Sequence, residues 1–269
     1  MKKLHFVFDV IVFCLLYSSF SMAESDILTT LNDRYKSVVD DCDGKPGYYC
    51  SGVMLSVDST WEDGDSSDES ASFSYLRKDI YIKNLFDDGT GYIFKDQNTA
   101  IAENDALQVY CAYVTTAATI VRPDSVLGPT CGTKLADGTF YNSCNEAGVN
   151  SVDTWLSYYY SPEVQMGPPV YQCAFDAKDA GAFLTFIKAH DATPPAIGYF
   201  NEVVLEGWHW TEGDKLPIEA FFYKIVNGRK IKMQSALTMR DDYEDKTGIH
   251  VPVVGIDFSN MDAPFVNAR

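Results

Sequence analysis

The residues with the most chemistry to offer stand in Phe200–Trp210, read as FNEVVLEGWHW. Glu202 and Glu206 are four positions apart beside an indole-rich run. On a helix, residues i and i+4 share one face. On a strand they also share one face, because side chains alternate. The two carboxylates therefore project to one side in either conformation, with Val203 and Leu205 free to anchor the segment in a core. Trp208, His209 and Trp210 add stacking surfaces and a titratable ring. A carboxylate beside aromatic rings suits a reaction that builds positive charge on a sugar ring, as when a glycosidic bond breaks. The competing reading is a solvated acidic pair at the end of a half-buried strand, which is where most carboxylates lie.

Other sources of chemistry are sparse. There is no Walker A loop, no Rossmann glycine fingerprint, no H-E-x-x-H and no G-x-S-x-G elbow. Of the histidines beyond residue 23, His190 reads as a helix-end residue and His250 as exposed, leaving His209 in the one suggestive context. Metal chemistry is not expected. The cysteines have no C-x-x-C spacing, and histidine is scarce. Asp63-x-Asp65-x-Ser67 has the opening of a calcium loop. Asp68 stands where that loop needs Gly, however, and Ser74 where it needs Glu.

The N-terminus reads as an export signal: Lys2 and Lys3, an apolar Val10–Leu16, then Ser21-Met22-Ala23 as a small-x-small cleavage site. Residues 1–23 are expected to be a signal peptide and 24–269 a single secreted catalytic domain, with no membrane span. Cys14 leaves with the signal. Cys42, Cys50, Cys111, Cys131, Cys144 and Cys173 remain, an even set that reads as three disulfides in an exported chain. Cys42–Cys50 and Cys131–Cys144 would each staple a loop, and Cys111 would pair with Cys173. The formal net charge of −17 excludes nucleic acid and anionic membranes as natural partners, and an anionic substrate would need a local basic pocket.

Elements to carry these residues can be read along the chain. Ile27, Leu28, Leu31, Tyr35 and Val38 recur at helical spacing after Ser25. Residues 52–57, 72–77, 92–94, 106–114, 171–175 and 251–258 read as strands, and residues 40–49 as a Gly/Pro loop. In SFSYLR, alternation sends Ser72 and Ser74 to one side and Phe73, Tyr75 and Arg77 to the other. Helices are expected after the capping residues Ser151 and Asp176, and over 235–246. Asn227-Gly228 is a two-residue hairpin signal between 218–226 and 229–234. The irregular order of helices and strands predicts an α+β fold with a mixed or mostly antiparallel sheet, flanking helices and disulfide staples.

The ordered set of LNDRYKSVVDDC (31–42), YYCSGVMLSV (48–57), SFSYLRKD (72–79), GYIF (91–94) and VYCAYVTTAATIVR (109–122) resembles the halovibrin family. The resemblance continues through TW (154–155), YQCAFD (171–176), NEVVLEGW (201–208), LPIEAFFY (216–223) and GIHVPVVGIDF (248–258), covering nearly the whole chain after residue 23. These are secreted bacterial proteins described as NAD glycohydrolases and as ADP-ribosyltransferases. The resemblance implies NAD as substrate rather than cofactor, cleaved between nicotinamide and ribose. An N-E-x-x-L-x-x-W pattern falls on Asn201, Glu202, Leu205 and Trp208. Glu202 is then the expected catalytic carboxylate and Glu206 its reserve. Arg77 would hold the diphosphate, Ser74 a ribose hydroxyl, and Asn201 and Trp208 would line the substrate.

ADP-ribosyltransferase toxins carry an Arg before a Ser-Thr-Ser strand and a late Glu-x-Glu. Here Ser-Phe-Ser precedes Arg77, and Glu202 and Glu206 are separated by three residues instead of the one in that pair. Hydrolysis is therefore the first reading, and transfer to a host protein acceptor the second. A third is a secreted binding or adhesion protein without turnover, for which the 17 tyrosines and absent catalytic motifs speak.

Overall fold

The computed structural model describes residues 26–37, 41–42, 45–46, 51–61, 70–79, 89–95, 109–112, 136, 173–176, 202–206 and 217–268. For residues 41–42, 45–46, 70–72, 109–112, 173–176 and 202–206 the description is of backbone and register. The signal segment, the calcium-like loop, the Cys131–Cys144 loop and the helices expected after Ser151 and Asp176 lie outside the described residues.

Helix α1 covers residues 26–36. The strands that follow are β1 (Asp41–Cys42), β2 (Lys45–Pro46), β3 (Val53–Val57), β4 (Ser70–Leu76), β5 (Thr90–Phe94), β6 (Val109–Ala112), β7 (Cys173–Asp176), β8 (Glu202–Glu206), β9 (Ile218–Val226) and β10 (Arg229–Ile231). Helix α2 (Met233–Thr247), β11 (Val253–Asp257) and β12 (Phe265–Asn267) complete the set. β1 and β2 form a small ribbon inside the segment expected to be a loop. Among the described residues the other ten strands form one sheet, in the order β12-β11-β9-β5-β3-β4-β8-β6-β7 with β10 beside β9. Its ladders are antiparallel except for β11 against β9, which run parallel. The architecture is α+β with a mixed, mostly antiparallel sheet, as expected.

The β9–β10 turn has the chemistry its residues demand. Asn227 and Gly228 take φ of 50° and 74°, the left-handed pair that a tight two-residue hairpin requires. The second strand stops at Ile231 instead of running to Gln234. All three residues of β10 are exposed, so extending it would bury nothing. Ala236, Met239 and Tyr243 instead recur at helical spacing and are buried in α2. Burial overrides a poor start: α2 has no side-chain N-cap and no acid in its first turn. It ends where Gly248 adopts φ 72° and donates its N–H to the Glu244 carbonyl at 2.8 Å. The parallel pairing of β9 and β11 needs a crossover, and α2 lies within it.

Alternation gives the sheet two packed faces. On one, Leu31 and Tyr35 of α1 meet Leu55, Leu76, Ile93, Phe222, Val254 and Phe265. On the other, Phe73, Tyr92, Phe94, Phe221, Trp61 and Tyr243 of α2 pack edge-on, with ring centroids 5.1–6.5 Å apart. Asn32 holds α1 to β12, donating to the Phe265 carbonyl at 2.8 Å and accepting from the Phe265 N–H at 3.1 Å. The last turn of α1 has carbonyls to satisfy. Gly52 N–H serves Arg34 at 2.7 Å and Lys78 N–H serves Tyr35 at 2.9 Å. No helix among the described residues is long and apolar enough to cross a membrane.

Candidate active site

The segment that opened the sequence reading is a strand, which fixes the separation of its two acids. A helix would bring Glu202 and Glu206 within about 6 Å of each other. Strand β8 sets them about 13 Å apart along one face. One reaction centre cannot use both, so Glu202 and Glu206 are alternatives for the catalytic carboxylate and not partners.

Register then says what each acid accompanies. Glu202 stands directly opposite Ser74 on β4, Val204 opposite Ser72, and Glu206 opposite Ser70. Directly opposed residues belong to the same face of a ladder. Ser74 is in turn opposite Leu55 of β3, which packs against the α1 side. Ser74 is thus on the α1 side of the sheet, and Glu202 holds the register position opposite it. Ser74 is 9% exposed and makes no side-chain hydrogen bond among the described residues. Ser74 is therefore a small hydroxyl at the edge of the core, close to the register position of Glu202.

Arg77 belongs elsewhere. It continues the Phe73–Tyr75 side of the alternation, away from Ser74 and Glu202. Its side chain is fully buried, with Nε 2.5 Å from Asp79 Oδ1 and Nη2 2.7 Å from Asp79 Oδ2. Nη1 donates to Ser51 Oγ at 3.3 Å. Tyr75 is part of the same buried seam, its hydroxyl donating to the Ser51 carbonyl. Burial pushes the Tyr75 phenol up to about 12, against a smaller opposing pull from the Ser51 hydrogen bond and the Arg77 charge. The fork expected to hold a diphosphate is engaged in holding the end of β4.

Glu219 of β9 is also engaged. It pairs with Arg34 of α1, and the two side chains are 14% and 8% exposed. His250 is exposed, as expected, with Nδ1 2.7 Å from Glu244 Oε2. Asn201, Trp208 and His209 lie outside the described residues. Among the described residues no group of three His, Cys, Asp or Glu side chains could hold a metal ion.

The cysteine register is informative. Cys111 is opposite Ala174 and Cys173 opposite Ala112 on the adjacent strands β6 and β7. Neighbouring positions on paired strands fall on opposite faces, which a disulfide does not bridge without moving the backbone. The expected Cys111–Cys173 pairing does not suit this register.

Sequence reading passed over Trp61, whose segment shows no regular periodicity. Its indole donates to Asp242 Oδ2 at 2.8 Å, and Lys246 sits 5.4 Å above its ring. Lys246 also reaches Asp242 at 3.0 Å. A cleft of about 420 Å³ opens beside them, lined by Ser59, Thr60, Gln234 and Thr238 among others. Burial raises the Asp242 carboxyl, but hydrogen bonds from Lys246 and Trp61 together bring it below the usual carboxylate range. With its charge already met, Asp242 is a fastener between the 58–61 loop and α2. Comparison with protein-family models and with curated proteins finds no match to this chain.

Proposed function

We propose that the protein is a secreted, disulfide-bonded NAD glycohydrolase working on the α1 side of the β4–β8 ladder. The observation that carries this reading is the opposition of Glu202 to Ser74, a nine-tenths buried serine with no side-chain hydrogen bond among the described residues. The family resemblance supplies the substrate, and the register supplies a carboxylate and a hydroxyl at one point of one face.

The chemistry asks little of a protein. The bond from ribose C1′ to the nicotinamide nitrogen breaks, and its electron pair leaves with the ring, which departs neutral. No general acid is needed. The ribose is left with oxocarbenium character, and Glu202 supplies the fixed negative charge that stabilises it. Ser74 holds a ribose hydroxyl and so sets the orientation of C1′. Water then bonds to C1′ and releases a proton, giving ADP-ribose. In this reading Glu202 receives that proton and orients the water. Purified oxidised protein should release nicotinamide from NAD. If a sensitive chromatographic assay finds no release, the enzyme reading falls and the binding-protein reading replaces it.

A further inference from the structure

The hairpin of β9 and β10 is a basic outcrop on an acidic chain. Acids outnumber bases 38 to 21 overall, yet residues 220–240 hold Lys224, Arg229, Lys230, Lys232 and Arg240 and no acid. Arg229, Lys230, Ile231 and Lys232 are all exposed. Lys224 is opposite Ile231 and Val226 opposite Arg229, so these four share one face of the ribbon. Lys230 is opposite Ile225 and projects to the other face. Lys232 follows in the left-handed conformation, at φ 54°, and ends the strand. Cations therefore flank β10 on both sides along its length. Helix α2 begins at the next residue with no acid in its first turn, so the positive end of its dipole adds to the same potential. Register places Asp257 beside the hairpin, opposite Ile225, on the face that Lys224 and Arg229 do not share. Its Oδ1 already accepts from Ser259 N–H at 2.9 Å and Ser259 Oγ at 2.6 Å. Val226 and Ile231, 38% and 37% exposed, alternate with the cations on the Arg229 face.

The kind of partner follows from what the patch has and lacks. It has closely spaced cations and two aliphatic side chains, and residues 224–232 contain no aromatic ring. Protein interfaces are depleted in Lys and anchored by Trp, Tyr and Arg. Single-stranded nucleic acid is held by stacking on aromatic rings. A duplex or an anionic bilayer is broad, and brings its charge against the acidic body as well as the hairpin. A linear sulfated polysaccharide is narrow enough to follow β10 alone. Its sulfates meet the cations, and the C–H faces of its sugar rings meet Val226 and Ile231. At physiological salt, charge acts over about 8 Å, so such a chain responds to the hairpin rather than to the net charge of the protein.

We infer that the β9–β10 hairpin docks a linear sulfated polysaccharide along β10. Short runs rich in Lys and Arg serve this purpose in other proteins by raising the local positive potential. Here the run is Arg229-Lys230-Ile231-Lys232, and Lys224 joins it from the neighbouring strand. Docking there does not depend on the glycohydrolase reading.

The test measures affinity for heparin at about 50 and about 200 mM salt. It compares the wild type, Arg229→Gln/Lys232→Gln and Lys95→Gln/Lys246→Gln, each shown folded by thermal melt. Both pairs remove the same charge. Lys95 is beside Pro217 at the far end of β9, and Lys246 is in the last turn of α2. The wild type should bind, with affinity falling at least about tenfold over that range of salt. Arg229→Gln/Lys232→Gln should weaken binding about tenfold, and Lys95→Gln/Lys246→Gln by less than about twofold. Polyglutamate, duplex DNA and phosphatidylserine vesicles should each bind more weakly than heparin. No binding of heparin at the lower salt overturns the inference, as does an equal loss in both pairs. Polyglutamate, DNA or vesicles bound as tightly as heparin would also overturn it, and would give the hairpin to that class of partner.

Discussion

The fully buried guanidinium of Arg77 grips the Asp79 carboxylate through two bonds, at 2.5 and 2.7 Å. Lysine at this position keeps the charge and loses the fork. Arg77→Lys should therefore cost stability, by about 1–2 kcal/mol; solvent at the Asp79 end, which is 36% exposed, keeps the loss modest. Urea denaturation measures it. KM for NAD should change little among the molecules that remain folded. A selective rise in KM with unchanged stability would return Arg77 to the substrate site.

Glu202→Gln keeps the volume and the hydrogen-bonding capacity of the side chain and removes its charge. Turnover should fall on the order of 10²–10³-fold with the melting temperature preserved. Glu219→Gln provides the contrast. It uncouples a pair that is 8% and 14% exposed, so it should cost roughly 2–4 kcal/mol of stability. Activity per folded molecule should be retained. Reversal of the two phenotypes would move the chemistry to β9.

How far this site could be read from sequence turns on particular residues. The alternation in SFSYLR already sends Ser74 and Arg77 to different sides, and the structure keeps that split. What sequence does not show is the engagement of Arg77 with Asp79, which depends on where the chain goes after β4. Glu202 and Glu206 were equally compatible with helix and strand, because both conformations put i and i+4 on one face. Partner strands decide between them, and strand partners are set by long-range packing that no local window contains. The Asn227-Gly228 turn was legible because its φ requirements are local. The end of β10 was not, since it depends on what α2 can bury. β12 went unread because three residues after Pro264 carry too little alternation to declare a strand.

Tyr75 ties stability to alkaline pH. Its phenol, ordinarily near 10.0, is raised to about 12 in the folded chain. The unfolded chain therefore loses this proton first. The stabilisation is complete below about 10.0 and disappears as pH climbs through about 12. It is worth on the order of 2–3 kcal/mol over that window. Denaturation midpoints should fall more steeply above pH 10.0 for the wild type than for Tyr75→Phe. Parallel slopes would show the phenol to be as accessible folded as unfolded.

Gly52 is a position where no side chain fits. Its φ is 74°, and an added Cβ would lie 2.3 Å from the Tyr75 ring. Gly52→Ala combines a left-handed penalty with overpacking, and should destabilise by about 2–4 kcal/mol. Calorimetric melting of the purified variant measures the loss. A loss under about 0.5 kcal/mol would mean that Tyr75 moves aside freely.

Thiol titration of the denatured, unreduced protein should find no free cysteine. Peptide mapping should place Cys111 and Cys173 in different linkages, because register puts them on opposite faces of neighbouring strands. A peptide joining those two residues would contradict the β6–β7 register.

The clasp between Asn32 and Phe265 sets a timetable for the chain. These partners are 233 positions apart, and α1 also waits for Glu219, Phe222 and Val254 before its buried face is covered. The first helix among the described residues is thus among the last to be secured. Local contacts cannot compensate, because α1 is short for a helix to persist alone in water. A fold closed by such distant pairs forms slowly. Until nearly all of it has been made, the buried face of α1 lacks the residues that cover it.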